Sequence, residues 1–338
     1  MSDLHILIPS LLSPLLLWQK DFLFTAQAPL LSELLAKSQR SQHKIKGLDR
    51  CLFSLLGWSA QQELPIAYYR YQLDFGHQPD SALMCADPVH LQAGVDEIIL
   101  SPEAIDDLSN ADAQELIESL NQHFAQDNWQ FIYADSGHCY LKYQGKEAVK
   151  TTPLDFVRGQ SIFKYLPQSD NLNWHSLQNE IQMLLHMTSL NQSREMAQQQ
   201  SINSLWFWGA GEKHKEPLPH TISTIWGGGI NAKVAAKAAN IGHKTLLQNY
   251  NDLATGQHII VFDTLYFPAL QDDYTQWQTL LNTLEQQQLT PLIQWAKKQG
   301  KTVTIHDTYG QSFVLQNKRN WKFWQKSSLK LHNLSIGV

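Results

Sequence analysis

The sequence predicts an α/β fold built on a mostly parallel sheet. Short apolar runs of strand length alternate with segments of helical apolar spacing along the whole chain, the pattern of successive strand–helix–strand units. At 338 residues and 43% hydrophobic composition the chain can bury a sizeable core, as one large domain or two moderate ones. Aromatics at 10%, with 11 Trp, against only 17% charged residues exclude a disordered chain.

The first predicted strand is Leu4–Ile8. The apolar stretch Leu4–Trp18 around it lacks a basic leader, is broken by Pro9 and Pro14, and has no small-residue cleavage site, so it does not read as a secretory segment. It is also too short to span a bilayer, and no other stretch approaches the ~18 apolar residues that a span needs. A helix is expected over Ala28–Arg40, with Leu30, Leu31, Leu34 and Leu35 on one side, and another over Leu48–Leu56, stopped at Gly57. Ser81–Leu91 and Glu97–Leu100 read as strands that could pair across Ala93-Gly94. Ser101 and Pro102 look like the cap and first position of a helix. Ala111–Gln126 is a predicted helix, and Trp129–Ala134 with Cys139–Tyr143 a predicted hairpin around Asp135-Ser136-Gly137.

Thr151–Gln160 is rich in turn residues. A long helix is expected from Trp174 to Gln199, its apolar face marked by Leu177, Ile181, Leu184 and Leu185. Leu205–Trp208 follows as a short buried strand. Thr221–Trp226, Gly227-Gly228-Gly229 and Asn231–Asn240 read as strand, glycine turn and helix. His258–Phe262 is a strand, Tyr274–Leu284 a helix, and Thr302–Ile305 and Ser312–Leu315 close the fold. The strands between about 60 and 165 run as consecutive hairpins. They predict an inserted, antiparallel α+β module over 61–164, a discontinuous core over 1–60 and 165–320, and a tail over 321–338.

Charge and cysteine usage narrow the function classes. A net charge of −5 argues against a broad nucleic-acid-binding surface. Cys51, Cys85 and Cys139 fit no paired metal motif and leave one unpaired in any disulfide scheme, so reduced thiols in a cytoplasmic protein are expected. No Gly-x-Ser-x-Gly elbow is present, which disfavours an α/β serine hydrolase.

The candidate motifs each carry two readings. Gly227-Gly228-Gly229 before a helix could cradle an anion on exposed N–H groups, or form a tight turn with no ligand. Gly209 and Gly211 after the aromatic strand allow close backbone approach by a ligand or by another chain segment. Asp87 and His90, three apart, point to opposite faces of a regular strand, so Asp87 is expected to satisfy backbone donors beside Pro88. His306, Asp307 and Asp263 fall at strand ends, where α/β sites gather. With Asp272 and Asp273 they read as solvated loop charges, because no metal-ligand spacing links them.

Several segments taken in order resemble the archaeal-type cofactor-independent phosphoglycerate mutases of the alkaline phosphatase superfamily. They are Gly47–Gly57 (GLDRCLFSLLG), Thr152-Pro153-Leu154-Asp155 with Gly159 and Tyr165-Leu166-Pro167, Asn191–Arg194 (NQSR) and Asn203–Gly211 (NSLWFWGAG). Met84–Leu91 (MCADPVHL), the Trp206-Phe207-Trp208-Gly209 turn and Trp321-Lys322-Phe323-Trp324 are similar to a set of uncharacterised bacterial proteins termed RpfE-type regulatory proteins. The resemblance implies an alkaline-phosphatase-like sheet core with an inserted module.

The departures from that family bear on activity. The mutases' first strand ends in an Asp-Gly metal turn, and here Leu4–Ile8 runs into Pro9-Ser10. Leu48 stands where the family has its nucleophilic serine, with Asp49 retained beside it. Thr264–Asp273 lacks the family's metal-ligating His, and the late Asp-His pair appears reversed as His306-Asp307. Two-metal phosphoryl transfer needs both ions to hold the attacking and leaving oxygens.

The resemblance with these departures therefore implies a pseudoenzyme with a binding or regulatory role, with no metal, no cofactor and no catalytic residues. The alternative is an active phosphomutase or phosphohydrolase with an altered site, for which Asp49, His90, Asp263 and His306 are the available acid–base groups. Asn191, Arg194, Asn203, Gly209 and Gly211 are the expected ligand-binding positions, for an anionic small molecule. Arg194 could clamp a phosphate or carboxylate, or pair near its helix end. The tail, with Trp321, Phe323 and Trp324 among Lys318, Arg319, Lys322, Lys326 and Lys330, is either docked on the core or an interface for a protein partner.

Overall fold

Residues 3–105, 107–144, 149–170, 172–214, 218–247, 249–315 and 331 are described by the structure, a computed structural model. The chain divides into two units, residues 1–60 with 217–338, and residues 61–216. The tail segment Asn317–Lys330 lies outside the described residues.

The first unit opens with β1 (Leu4–Leu7), whose apolar members are fully buried. Then come α1 (Leu15–Phe22) and α2 (Pro29–Ala36). Pro29 opens α2 with a pre-set φ. No neighbouring side chain caps this helix. Instead the Glu285 carboxylate, from far along the chain, accepts the Leu31 N–H at 2.6 Å. The expected helix over 28–40 thus stops short, and Arg40 lies in β2 (Gln39–Gln42), exposed at every residue. The run QRSQ has no apolar side chain to continue the helix face, while an antiparallel neighbour offers it backbone partners. α3 (Leu48–Leu55) ends this stretch.

The second unit begins with α4 (Ile66–Phe75), which the sequence reading did not assign; its aromatic run YYRY has no clear helical stripe. The strands β3 (Ala82–Val89), β4 (Leu91–Ala93) and β5 (Ile98–Leu100) follow. α5 (Asn110–His123) is capped by Ser109, whose side chain accepts the Asp112 N–H. That cap starts the helix, while residues 101–105, where Ser101-Pro102 predict a helix start, are not helical. Next are β6 (Gln130–Tyr133), β7 (Cys139–Tyr143) and the short α6 (Leu154–Val157).

The long helix expected over 174–199 is two helices, α7 (Trp174–His186) and α8 (Ser189–Met196). Thr188 makes the break. Its hydroxyl donates to Leu185 O at 2.7 Å and accepts the Asn191 N–H, closing one helix and capping the next. β8 (Ser204–Trp208) completes an antiparallel sheet of order β6-β7-β3-β8, beside a separate β4-β5 pair. β8 pairs with β3 from Val89↔Ser204 to Cys85↔Trp208. Residues 165–216 therefore belong to this unit, and the return to the first unit falls at 217 rather than 165. Leu177, Ile181 and Leu185 of α7 bury their side chains with Phe131, Leu141 and Phe207 of the sheet, about 1.5–3 kcal/mol each.

The first unit resumes with β9 (Ile222–Gly227), α9 (Gly229–Ala239), β10 (Gly242–Lys244) and β11 (Gln257–Val261). α10 (Tyr266–Leu270), α11 (Tyr274–Leu284) and α12 (Thr290–Lys298) precede β12 (Val303–His306) and β13 (Gln311–Leu315). α11 runs into α12 through a π-helical turn, Glu285–Leu289, just before Pro291. The wider turn makes room for a proline that has no N–H to give an α-helix.

The sheet order is β10-β9-β11-β1-β12-β13-β2. Every pairing from β10 to β12 is parallel, and β13 and β2 are antiparallel additions. This large, mostly parallel sheet with an inserted antiparallel unit is consistent with the alkaline-phosphatase-like arrangement expected. Trp18, Trp277, Ile6, Ile260 and Phe313 lie in its core, as does Leu331. Among the described residues no helix is long and apolar enough to cross a membrane.

Candidate functional site

In open α/β sheets, ligands bind beyond the carboxyl ends of the parallel strands. The registers align Gly227, Val261, Leu7 and His306 in one row across β9, β11, β1 and β12. One residue further on stand Gly228, Phe262, Ile8 and Asp307. The chain leaves β9 toward β10 and leaves β11 toward β12, in opposite directions, so the switch point of this edge falls between β9 and β11. Asp263 is exposed just past β11.

Beyond β12 the chain turns tightly. Asp307 is fully buried, and its Oδ1 accepts the N–H groups of Tyr309 at 2.7 Å and Gln311 at 2.9 Å. Its Oδ2 and both polar atoms of the buried Gln311 amide have no hydrogen-bond partner among the described residues. Between them Thr308 has φ 58°, a left-handed conformation that a β-branched residue rarely adopts. Thr308 O accepts the Gly47 N–H at 2.8 Å, which ties the turn to the start of α3. There Leu48 and Asp49 open the helix, and Asp49 is buried.

Burial raises the Asp307 carboxyl, against the lowering effect of the two N–H bonds. The Cys51 thiol is pushed up to about 12 by burial, with Asp307 and Asp49 adding to it. It is a buried thiol, not an activated thiolate. Cys85 and Cys139 are likewise free and buried.

A second polar run sits beside this turn. His306 Nε2 meets His5 Nδ1 at 3.0 Å, His306 Nδ1 meets Ser312 Oγ at 2.8 Å, and Ser312 Oγ meets His43 Nε2 at 3.0 Å. Burial lowers His5 to about 4 and His306 to about 3; neighbouring His5 and His43 add to the effect on His306. Both rings are therefore neutral near pH 7.

Of the acid–base candidates, Asp49, Asp263 and His306 belong to this unit, and His90 belongs to the other. There, His90 Nδ1 lies 2.8 Å from Ser201 O. Asp272 accepts the Trp18 indole N–H at 2.7 Å, and Asp273 caps α11 by accepting the Gln276 N–H at 2.8 Å. Both have structural roles rather than the solvated ones expected. No group of three or more His, Cys, Asp or Glu among the described residues is placed to hold a metal ion.

The expected ligand positions lie in the second unit, and the structure engages them internally. The Asn191 amide donates to Leu185 O at 2.7 Å and Ile202 O at 2.8 Å, and accepts the Ile202 N–H at 2.8 Å. Asn203 bonds both backbone groups of Leu91, accepting at 2.7 Å and donating at 2.8 Å. Arg194 donates from Nε to Gln200 O and from Nη2 to Asp107, each at 2.7 Å; its buried Nη1 has no partner among the described residues. Gly209 donates its N–H to Thr151 Oγ1 at 2.8 Å and accepts from Ala67 N at 3.0 Å. A Cβ on Gly211 would fall 2.4 Å from Glu63 O. The two glycines admit another chain segment, residues 63–67, the second of the two readings.

Asp87 does not serve backbone donors beside Pro88. It forms a bidentate pair with Arg70, at 2.9 and 2.8 Å, and accepts the Trp208 indole N–H at 2.7 Å. Arg70 also donates to Cys139 O at 3.0 Å and stacks over the Tyr140 ring. Burial opposes the Asp87 charge, but Arg70 holds the carboxylate below its ordinary range. The sequence reading missed Arg70 as a partner, because a side chain on α4 and another on β3 share no spacing signal. It also missed the imidazole run, whose members come from four separate segments.

No family model matches the chain. No curated protein matches it. Among solved structures, the fold is similar to the PH0037 protein from Pyrococcus horikoshii, at TM-score 0.50 and 10% identity, covering 93% of this chain and 87% of that one. A more distant likeness, at TM-score 0.37 and 14% identity over 93% and 89%, is to the cofactor-independent phosphoglycerate mutase from Thermoplasma acidophilum DSM 1728. At such identities the likeness bears on the fold alone.

Proposed function

We propose that this chain is a binding or regulatory protein on a mutase-like α/β scaffold, a pseudoenzyme rather than a phosphoryl-transfer catalyst. The observation that carries the reading is at the start of α3. Leu48 occupies the position where the resemblance would place a nucleophilic serine, and the retained Asp49 beside it is only 3% exposed. A leucine cannot attack phosphorus. The internal engagement of Asn191 and Asn203 supports the same reading.

The test is an assay of the full chain, loaded in turn with Mn²⁺, Zn²⁺ and Mg²⁺, against 3-phosphoglycerate and p-nitrophenyl phosphate. The expected result is no turnover above a metal blank, unchanged in Asp49→Asn. Robust turnover lost in Asp49→Asn would overturn the reading in favour of an active phosphomutase or phosphohydrolase. Phosphate, 3-phosphoglycerate and citrate serve as probes for an anionic ligand. A thermal shift that disappears in Arg194→Ala supports one at Arg194, and no shift from any of them counts against it. In this reading the macromolecular partner meets Trp321, Phe323 and Trp324. Trp321→Ala should then abolish self-association or partner capture and leave melting unchanged, whereas a lowered melting temperature would mean that the tail is docked.

A further inference from the structure

The four-stranded sheet of the second unit ends on one side at β6, which pairs with β7 and with no other strand. Its ladder fixes which backbone groups look outward. Ala134 N–H donates to His138 O at 2.9 Å, and in an antiparallel ladder such bonded positions recur at every second residue. Gln130, Ile132 and Ala134 therefore turn their N–H and C=O groups toward β7, and Phe131 and Tyr133 turn theirs away.

The outward pair at Phe131 is filled, and not by a strand. Asn121 reaches it from α5, accepting the Phe131 N–H at 2.7 Å and donating its amide to Phe131 O at 3.0 Å. An added antiparallel strand would make these same two bonds at Phe131. The corresponding pair at Tyr133 has no partner among the described residues. The Phe131 ring is 2% exposed and lies in one apolar core with Leu116 and Leu120 of α5. Helix and strand are thus held together, and the Asn121 amide meets the edge already in position.

The strand around this point is one that another chain would readily pair with. Asn128–Ala134 (NWQFIYA) holds three aromatics and an isoleucine, with no charge, proline or glycine. On an open edge such a segment is a template for further strands. Open edges are commonly blunted by lysine, proline or a bulge. β6 has none of these, and its four residues pair with β7 without a shift of register.

We propose that Asn121 guards this edge: its amide occupies the pairing position at which a second copy of the chain would add its own β6, and so keeps the second unit from self-association through that strand. Two β6 strands set antiparallel about Phe131 would exchange the bonds now given to Asn121. The uncharged strand would place no like charges opposite one another.

Hydrogen exchange and sedimentation velocity of the full chain test this. In wild type, with intrinsic rates corrected, the Phe131 amide should exchange about tenfold more slowly than the Tyr133 amide. In Asn121→Ala at low concentration that difference should vanish. At higher concentration a species of about twice the mass should grow in. Asn121→Ala/Tyr133→Pro removes the second outward N–H and leaves the bonds to β7 in place, so it should return to the wild-type sedimentation profile. Sedimentation of Asn121→Ala identical to wild type, or association that persists in the double variant, would overturn the proposal. Should Asn121→Ala not fold, the wild-type exchange decides. A fast Tyr133 amide beside a slow Phe131 amide supports the guard, and two equally slow amides would mean that something other than Asn121 covers the edge.

Discussion

Asp87 and Arg70 show what a buried charge costs when its partner leaves. Each is under 10% exposed, and together they satisfy two oxygens, the Trp208 indole and a backbone carbonyl. Asp87→Ala would leave the guanidinium buried and uncompensated. We expect it to lower stability by about 3–5 kcal/mol in urea denaturation. A loss under ~1 kcal/mol would mean that water reaches Arg70, as at exposed pairs. At this scale the sequence was legible only in part. An acid between Ala86 and Pro88 on an apolar strand announces a need for a partner, but no local spacing names Arg70. The same limit applies to Asn191 and Asn203. Their polar character invites a ligand, and only the fold reveals that backbone groups of residues 185, 202 and 91 claim them first.

At the scale of elements, the β9–α9 turn separates two glycines that look alike in sequence. Gly227 and Gly229 both have positive φ, at 73° and 56°. A Cβ on Gly227 would lie 2.6 Å from Val261 O and 2.7 Å from Leu246 Cδ2, whereas nothing lies within 4 Å of one on Gly229. Gly227→Ala should therefore cost about 3 kcal/mol or more, combining clash and strain, and Gly229→Ala about 1 kcal/mol from strain alone. Thermal melts of the two variants would show it, and equal losses would refute the distinction. Strands and helices with a regular apolar period were largely readable: β1, α3, β8, β11, β12 and β13 lie where the periodicity put them. Elements defined by capping were not. Thr188 splits the 174–199 helix with a hydroxyl, and Glu285 caps α2 across the chain, and neither signal lies in apolar spacing.

At the scale of the molecule, the seven-stranded and four-stranded sheets, each with an apolar core, make separate claims on stability. Residues 61–216 contain their own apolar core and antiparallel sheet. Expressed alone, that stretch should unfold in one cooperative transition by circular dichroism, and a non-cooperative melt would refute its independence. The sequence expectation closed the hairpin module at 164, whereas the second unit runs to 216. Leu205–Trp208 was expected in the 165–320 core, and its antiparallel pairing with β3 puts it in the second unit instead. The first unit carries a pH response from its imidazoles. His5 and His306 are lowered to about 4 and 3, so the unfolded chain binds more protons than the native one below 6.5. Their contribution is fully present above that value and is lost as pH falls through 4 and 3. Raised Asp307 acts oppositely, losing stability as pH rises above its ordinary 3.8. The double variant His5→Gln/His306→Gln should thus lose less melting temperature than wild type between pH 7 and 4.5. A parallel fall in both would show that other groups control the acid limb.

The place of β1 at the middle of its sheet has a consequence during synthesis. Its first pairing partner, β11, lies roughly 250 residues downstream and the second, β12, roughly 300, so closing either contact carries a heavy loop-entropy cost and a long delay. While the ribosome is still reading, the stretch Leu4–Ile8 emerges as a bare apolar strand with both edges open. The intervening 61–216 unit can settle meanwhile from contacts within itself. A nascent chain of this design therefore leaves an apolar strand unpaired for most of the synthesis of its sheet, and shielding of Leu4–Ile8 over that interval is what would keep it from pairing with another chain.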